Sequence, residues 1–241
     1  MKTLTAQEEV TLLWQICPDY HSIKINNPPF ANKPTLPTKF KPLRNLVATL
    51  LMLDAGLRVG EVVKLNSRDV YFRHNPMRNI IVPANISKSK IERRVPSTSR
   101  LNKLLEIYYY LITQPETDVN CCLIPRNSSD CNPITTRAIQ RFITIASEES
   151  LGFPIHPHTL RHTYATKMMK VTNLRTVQEL LGHKNVTSTQ IYTHVNDDDK
   201  YRAAIALDKK LHAEQSAFFV GKRPGNLHND LTTPGTNGQI A

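Results

Sequence analysis

Three observations in the 241-residue sequence predict a mainly α fold carrying a small antiparallel β-sheet. Most segments place apolar residues at helical spacing between recognisable start and stop signals. Residues 68–97 instead carry short β-branched runs separated by polar turn formers. No internal repeat and no clear linker divides the chain, so residues 1–220 are expected to form one domain, with 221–241 as a disordered tail.

Each element has its own justification. Thr5 and Glu8 make a capping box that opens a short helix through Val10, Leu12, Leu13 and Ile16. Five prolines between residues 26 and 42 predict an extended connection there. A strong helix follows, RNLVATLLMLDAG, with Gly56 placed to end it. LRVGEVVKL reads as a shorter helical segment beginning beside Arg58. The runs RDVYF, RNIIVP and ERRVP supply the sheet, and TSRLNKLLEIYYYLIT returns to helix from a Ser/Thr start. Its Tyr108-Tyr109-Tyr110 run reads as packing.

Residues 114–133 read as a loop around the extended piece CCLIP. PITTRAIQRFITIASEE is an amphipathic helix with Pro133 at or near its first position. HPHTLRHTYATKMMK begins another helix with proline in its first turn. LRTVQELLGH is a further helix ending at Gly182 and His183, and residues 198–215 are helical by composition and spacing. From residue 221 the chain is rich in Gly, Pro, Asn and Thr, which does not support a packed core.

The charge balance narrows the partners. Thirty-one Lys and Arg against 20 Asp and Glu give a net charge of +11, the electrostatic footprint expected of a polyanion binder. The adjacent Cys121 and Cys122, with Cys17 and Cys131, fit neither a disulfide framework nor a paired zinc site, and reduced thiols are expected. The N-terminus has no apolar signal core and no run approaches ~20 apolar residues, so a soluble intracellular protein is expected.

His158 and Arg161 stand three apart on a predicted helix and project from one face. A guanidinium suits two oxygens of a phosphate, and an imidazole can donate or move a proton. His183 follows a helix-ending glycine, and a turn at Lys184-Asn185 allows Tyr192 to fold back towards it. A tyrosine hydroxyl ionises only near pH ~10, so it attacks a phosphodiester only when cations and donors gather the phosphate beside it. The pair His158 and His162 has helical metal-ligand spacing, but Thr159 stands where zinc proteases carry their glutamate, and no metal is expected. Glu61, three residues after Arg58, is expected to fix the local helix or an arginine.

In these residues the chain resembles the catalytic domain of the tyrosine recombinases, the lambda-integrase and Xer family. The H-x-L-R-H box stands at His158–His162 and the L-G-H…Y box at Leu181-Gly182-His183…Tyr192. The first arginine box stands at Ala55–Val62, around Arg58. The resemblance spans roughly residues 3–205, with the boxes in the family's order.

The resemblance implies that Arg58 and Arg161 clamp the scissile phosphate and that His158 serves as general base or acid around Tyr192. It implies that His183 donates to the phosphate and that Tyr192 attacks, leaving a 3′-phosphotyrosyl bond and a free 5′-hydroxyl. The family also uses a hairpin lysine as general acid. Counting back from Arg94-Val95-Pro96 places Lys88 there, with Lys90 as rival, and serines replace the glycines commonly flanking it. Lys90, Arg93 and Lys184 are expected to contact DNA.

No cofactor and no metal is implied. The implied partners are double-stranded DNA and further copies of the chain, as a tetramer on DNA, with no membrane, in the cytoplasm with the nucleoid. The implied activity is that of an integrase, recombinase or transposase. A type IB topoisomerase-like enzyme and a catalytically idle DNA-binding regulator are the alternatives. Family members commonly carry a helical domain of ~100 residues before the catalytic one, and this sequence starts almost at the catalytic domain.

Overall fold

A computed structural model describes residues 2–19, 40–112, 121–127, 131–182 and 197–221. In chain order its elements are α1 (Ala6–Ile16), α2 (Phe40–Leu53), the one-turn α3 (Val59–Val62), β1 (Tyr71–Phe72), β2 (Asn75–Pro76), β3 (Asn79–Val82), β4 (Arg93–Pro96), α4 (Ser99–Ile112), α5 (Thr136–Leu151), α6 (Pro157–Met169), α7 (Leu174–Leu181) and α8 (Asp197–Gly221). The mainly α architecture with small antiparallel strands is the one the sequence predicts.

Helix α2 is the centre of the core. Its Leu43, Leu46, Leu50, Met52 and Leu53 have no solvent exposure, as befits a helix apolar nearly all round. It packs against α4 on one side and α6 on another, while α1 lies along α5. α1 starts at the capping box, where the Glu8 amide donates to the Thr5 hydroxyl at 3.2 Å and the Thr5 amide to the Glu8 carboxylate at 2.8 Å. The last helix, α8, lies against α1, α6, α7 and β4. Its Asp208 accepts the Ser99 amide (2.7 Å) and hydroxyl (2.6 Å) at the start of α4.

Several boundaries differ from expectation. α2 begins at Phe40 and takes in Pro42, because an amide in the first helical turn has no intrahelical partner for proline to forfeit. α5 begins at Thr136, after the Thr135 hydroxyl has accepted the Ala138 amide at 3.1 Å. Pro133 lies outside it, bridged to Pro125. Pro157 does occupy the first turn of α6. α8 runs to Gly221, past residue 215. The remainder of the expected tail lies outside the described residues.

The single small sheet divides into two hairpins, β1–β2 and β3–β4, the second pairing Asn79 with Pro96 through to Val82 with Arg93. Arg73 and His74 both take positive φ, 46° and 72°, so a two-residue turn closes the first hairpin with the twist strands require. RDVYF therefore contributes only Tyr71 and Phe72, with a 3₁₀ turn at Ser67–Asp69 before them.

Cys121 and Cys131 form a disulfide, in which Cys17 and Cys122 take no part. This corrects the expectation of four reduced thiols. The CCLIP segment is clamped from both sides: Ser67 and Leu123 amides bond Cys121 and Leu65 carbonyls, and Ile134 bonds back to Ile124. That double pairing brings the Cys121 and Cys131 Cα atoms to 5.3 Å, within disulfide reach. Tyr108 is buried and donates to the Leu123 carbonyl at 3.1 Å, the packing role expected for it. Among the described residues no helix is long and apolar enough to cross a membrane.

Candidate active site

The site is built where the turn after α2 meets the starts and ends of α6 and α7. Gly56 takes φ +62°, and a Cβ there would lie 2.3 Å from a ring carbon of Tyr164. Only glycine permits both the left-handed turn and this approach of α6. The turn delivers Arg58 to the head of α3. The Arg58 amide donates to Glu61 at 2.8 Å, its guanidinium to Glu61 at 3.0 Å and to the Gly182 carbonyl at 3.3 Å.

Arg161 reaches the same place from α6. Its guanidinium donates to the Gly56 carbonyl and, at 2.6 Å, to the Leu181 carbonyl. Arg93, the first residue of β4, donates to Leu180 at 3.0 Å and grips both oxygens of Glu61 at 3.0 and 2.7 Å. Three successive carbonyls at the end of α7 are thus met by three guanidiniums from three different segments. Helix ends leave such carbonyls without intrahelical partners, and cations suit their partial negative charge. Gly182, at φ +64°, caps the helix and turns the chain out of it.

The electrostatics follow from that crowding. Glu61 is 2% exposed. Burial pushes its carboxyl up, but the bonds and charge of Arg93, then those of Arg58, outweigh burial and hold it below the ordinary carboxylate value. The Arg161 guanidinium is lowered too, to about 9, which in its case disfavours the charged form: burial is the first cause and the like charge of Arg58 the next, and Glu61 only partly offsets them. Three cations around one carboxylate form a pocket of positive potential, and an anion placed there relieves the strain on Arg161.

Arg58 and Arg161 are brought to adjacent carbonyls, those of Gly182 and Leu181, and Glu61 fixes Arg58 and Arg93. His158 lies one turn before Arg161 on α6 and is exposed. Lys88 and Lys90 are both exposed on the loop between β3 and β4, which leads into Arg93. In that loop Ser87 and Ser89 are buried and their hydroxyls bond at 2.8 Å. The serines standing where glycines are commoner therefore knit the loop from within and leave Lys88 outside.

Arg93 departs from its expected place on the DNA-contacting surface. Its side chain is 8% exposed and is engaged with Glu61 and Leu180, because β-strand alternation turns it inward while Arg94 faces out. His183, Lys184 and Tyr192 lie outside the described residues. Among the described residues no group of three His, Cys, Asp or Glu is placed to hold a metal ion.

Residues 31–199 match the model of the phage integrase family, and the chain belongs to that family. It is 35% identical over 161 residues to a tyrosine recombinase of Pseudothermotoga lettingae, a match covering 66% of this chain and 52% of that protein. The chain spans about half the length of that relative. Among solved structures, the XerA recombinase superposes with a TM-score of 0.57 at 26% identity, covering 88% of this chain and 65% of the other. XerH, solved bound to its difH substrate before cleavage, superposes with a TM-score of 0.53 at 20% identity, covering 85% and 54%. The shared fold is that of the recombinase catalytic domain.

Proposed function

We propose that the chain is a site-specific DNA recombinase or integrase that cleaves and rejoins strands through a 3′-phosphotyrosyl bond on Tyr192. The observation that carries this reading is the convergence of Arg58 and Arg161 on the carbonyls of Leu181 and Gly182, immediately before His183. Two guanidiniums held at one point, Arg58 by Glu61 (itself gripped by Arg93) and Arg161 by the Gly56 and Leu181 carbonyls, match the two non-bridging oxygens of a phosphodiester.

In the proposed reaction the Tyr192 oxygen attacks the phosphorus and the bond from phosphorus to the 5′ oxygen breaks. His158 takes the phenolic proton, Lys88 gives one to the departing 5′ oxygen, and His183 donates to the phosphate. The arginine pair offsets the charge that builds on the phosphoryl oxygens. The phosphotyrosyl bond preserves the phosphodiester, so a 5′-hydroxyl from a second strand reverses the step. Double-stranded DNA is the proposed partner, engaged through the exposed Lys90 and through Lys184, with a tetramer assembled on it. The proposed place of action is the cytoplasm with the nucleoid. The pre-cleavage DNA complex of XerH supports the choice of partner.

Strand exchange tests the reading. Incubation with two labelled duplexes carrying the recombination site is expected to give Holliday junctions and exchanged products. Relaxation of supercoiled DNA with no exchanged product would contradict it and indicate a nicking and resealing enzyme.

A further inference from the structure

A second set of buried charges takes no part in the proposed chemistry. Asp54, just past the end of α2, accepts the Thr98 hydroxyl at 2.8 Å and both of its oxygens meet the guanidinium of Arg100 on α4. Arg100 also faces Glu9 of α1 at 3.8 Å, and Glu9 pairs with Lys167 of α6. Glu9 and Asp54 are each 1% exposed and Lys167 8%. Two anions and two cations are balanced, yet burying them costs more than an apolar filling of the same volume. Packing alone therefore gives no reason for them.

Their placement gives one. Asp54 stands two residues before Gly56, whose carbonyl receives Arg161, and four before Arg58. Lys167 stands on the helix that carries Arg161. The connections close on themselves, from Asp54 through Arg100, Glu9 and Lys167 along α6 to Arg161, and from Arg161 back to Gly56.

We propose that Asp54, Arg100, Glu9 and Lys167 are positioning residues that lock the register of α6 against the Arg58 turn and so set the spacing of the Arg58 and Arg161 guanidiniums. Charge pairs are directional where apolar contacts are not, and reacting groups lose much of their effect when displaced by about 1 Å. The proposal rests on the reading that this arginine pair holds a phosphate.

The test uses inorganic phosphate as probe, with binding followed by the guanidinium ¹⁵N shifts of the full chain. The double variant Glu9→Leu with Lys167→Met removes one anion and one cation and leaves Asp54 paired with Arg100. It is expected to keep the wild-type melting temperature but to bind phosphate about tenfold more weakly, the loss of one charge-assisted bond. Lys167→Arg alone is expected to retain wild-type binding. Wild-type phosphate affinity in a double variant of unchanged stability overturns the proposal. Should the double variant fail to fold, Asp54→Asn, nearly isosteric with the native side chain, carries the same comparison. Phosphate binding by a wild-type chain that forms no adduct with DNA counts against the recombinase reading and leaves the positioning role standing.

Discussion

Gly56 and Tyr164 stand so close that no side chain fits between them: a Cβ on residue 56 would lie 2.3 and 2.6 Å from two ring carbons of the tyrosine. This contact sets how near α6 comes to the Arg58 turn, and so whether Arg161 reaches the Gly56 carbonyl. Gly56→Ala is expected to cost roughly 2–5 kcal/mol, combining a left-handed residue with an overpacked contact. Denaturant unfolding measures it. A loss under about 0.5 kcal/mol, the range of a neutral surface change, contradicts the tight approach.

Glu61 gives the site a pH signature. Its folded pKa lies below the unfolded value, so its contribution is fully present above the unfolded pKa and fades as pH falls through the folded one. The stability gap between wild type and Glu61→Gln is expected to stay constant above the ordinary carboxylate range and to close in more acid solution. Unfolding curves taken across that range show whether it does. A gap that widens on acidification contradicts the pairing with Arg93 and Arg58.

Arg93→Ala leaves the buried Glu61 with Arg58 alone and frees the Leu180 carbonyl. Breaking such a buried pair costs about 3–5 kcal/mol, and the lower end is expected because Arg58 remains. A DNA-contact role by itself leaves thermal stability unchanged, so calorimetry separates the two.

The disulfide between Cys121 and Cys131 closes a short loop beside the segment following α3. Cys131→Ser, or reduction of the wild type, is expected to lower stability by roughly 2–3 kcal/mol on the loop-entropy account. Mass spectrometry without reduction tests the pairing itself. An intact protein carrying four alkylatable thiols contradicts it.

How much of this was legible in the sequence depended on the range of the interaction. The Thr5 capping box, Pro157 in a first turn and the glycines at 56 and 182 are local signals, and each stands where it was read. The arginine boxes single out Arg58 and Arg161, whose guanidiniums bond the neighbouring carbonyls of Gly182 and Leu181. Arg93 was misplaced because its orientation depends on strand register, which the sequence leaves open by one residue. The Cys121 disulfide depends on pairing to residues 65–67 across the fold, and no spacing rule reveals that. The circuit from Asp54 to Lys167 joins four elements distant in sequence, with an ordinary charged residue at each corner.

The central claim is that Tyr192 is the nucleophile served by the paired arginines. The direct measurement is adduct formation on a nicked suicide duplex carrying the recombination site, with the linked peptide identified by mass spectrometry. The wild-type chain is expected to form a covalent protein–DNA adduct at Tyr192, Arg58→Ala and Arg161→Ala to form far less, and Tyr192→Phe to form none. An adduct that persists in Tyr192→Phe, or one mapped to another residue, contradicts the account.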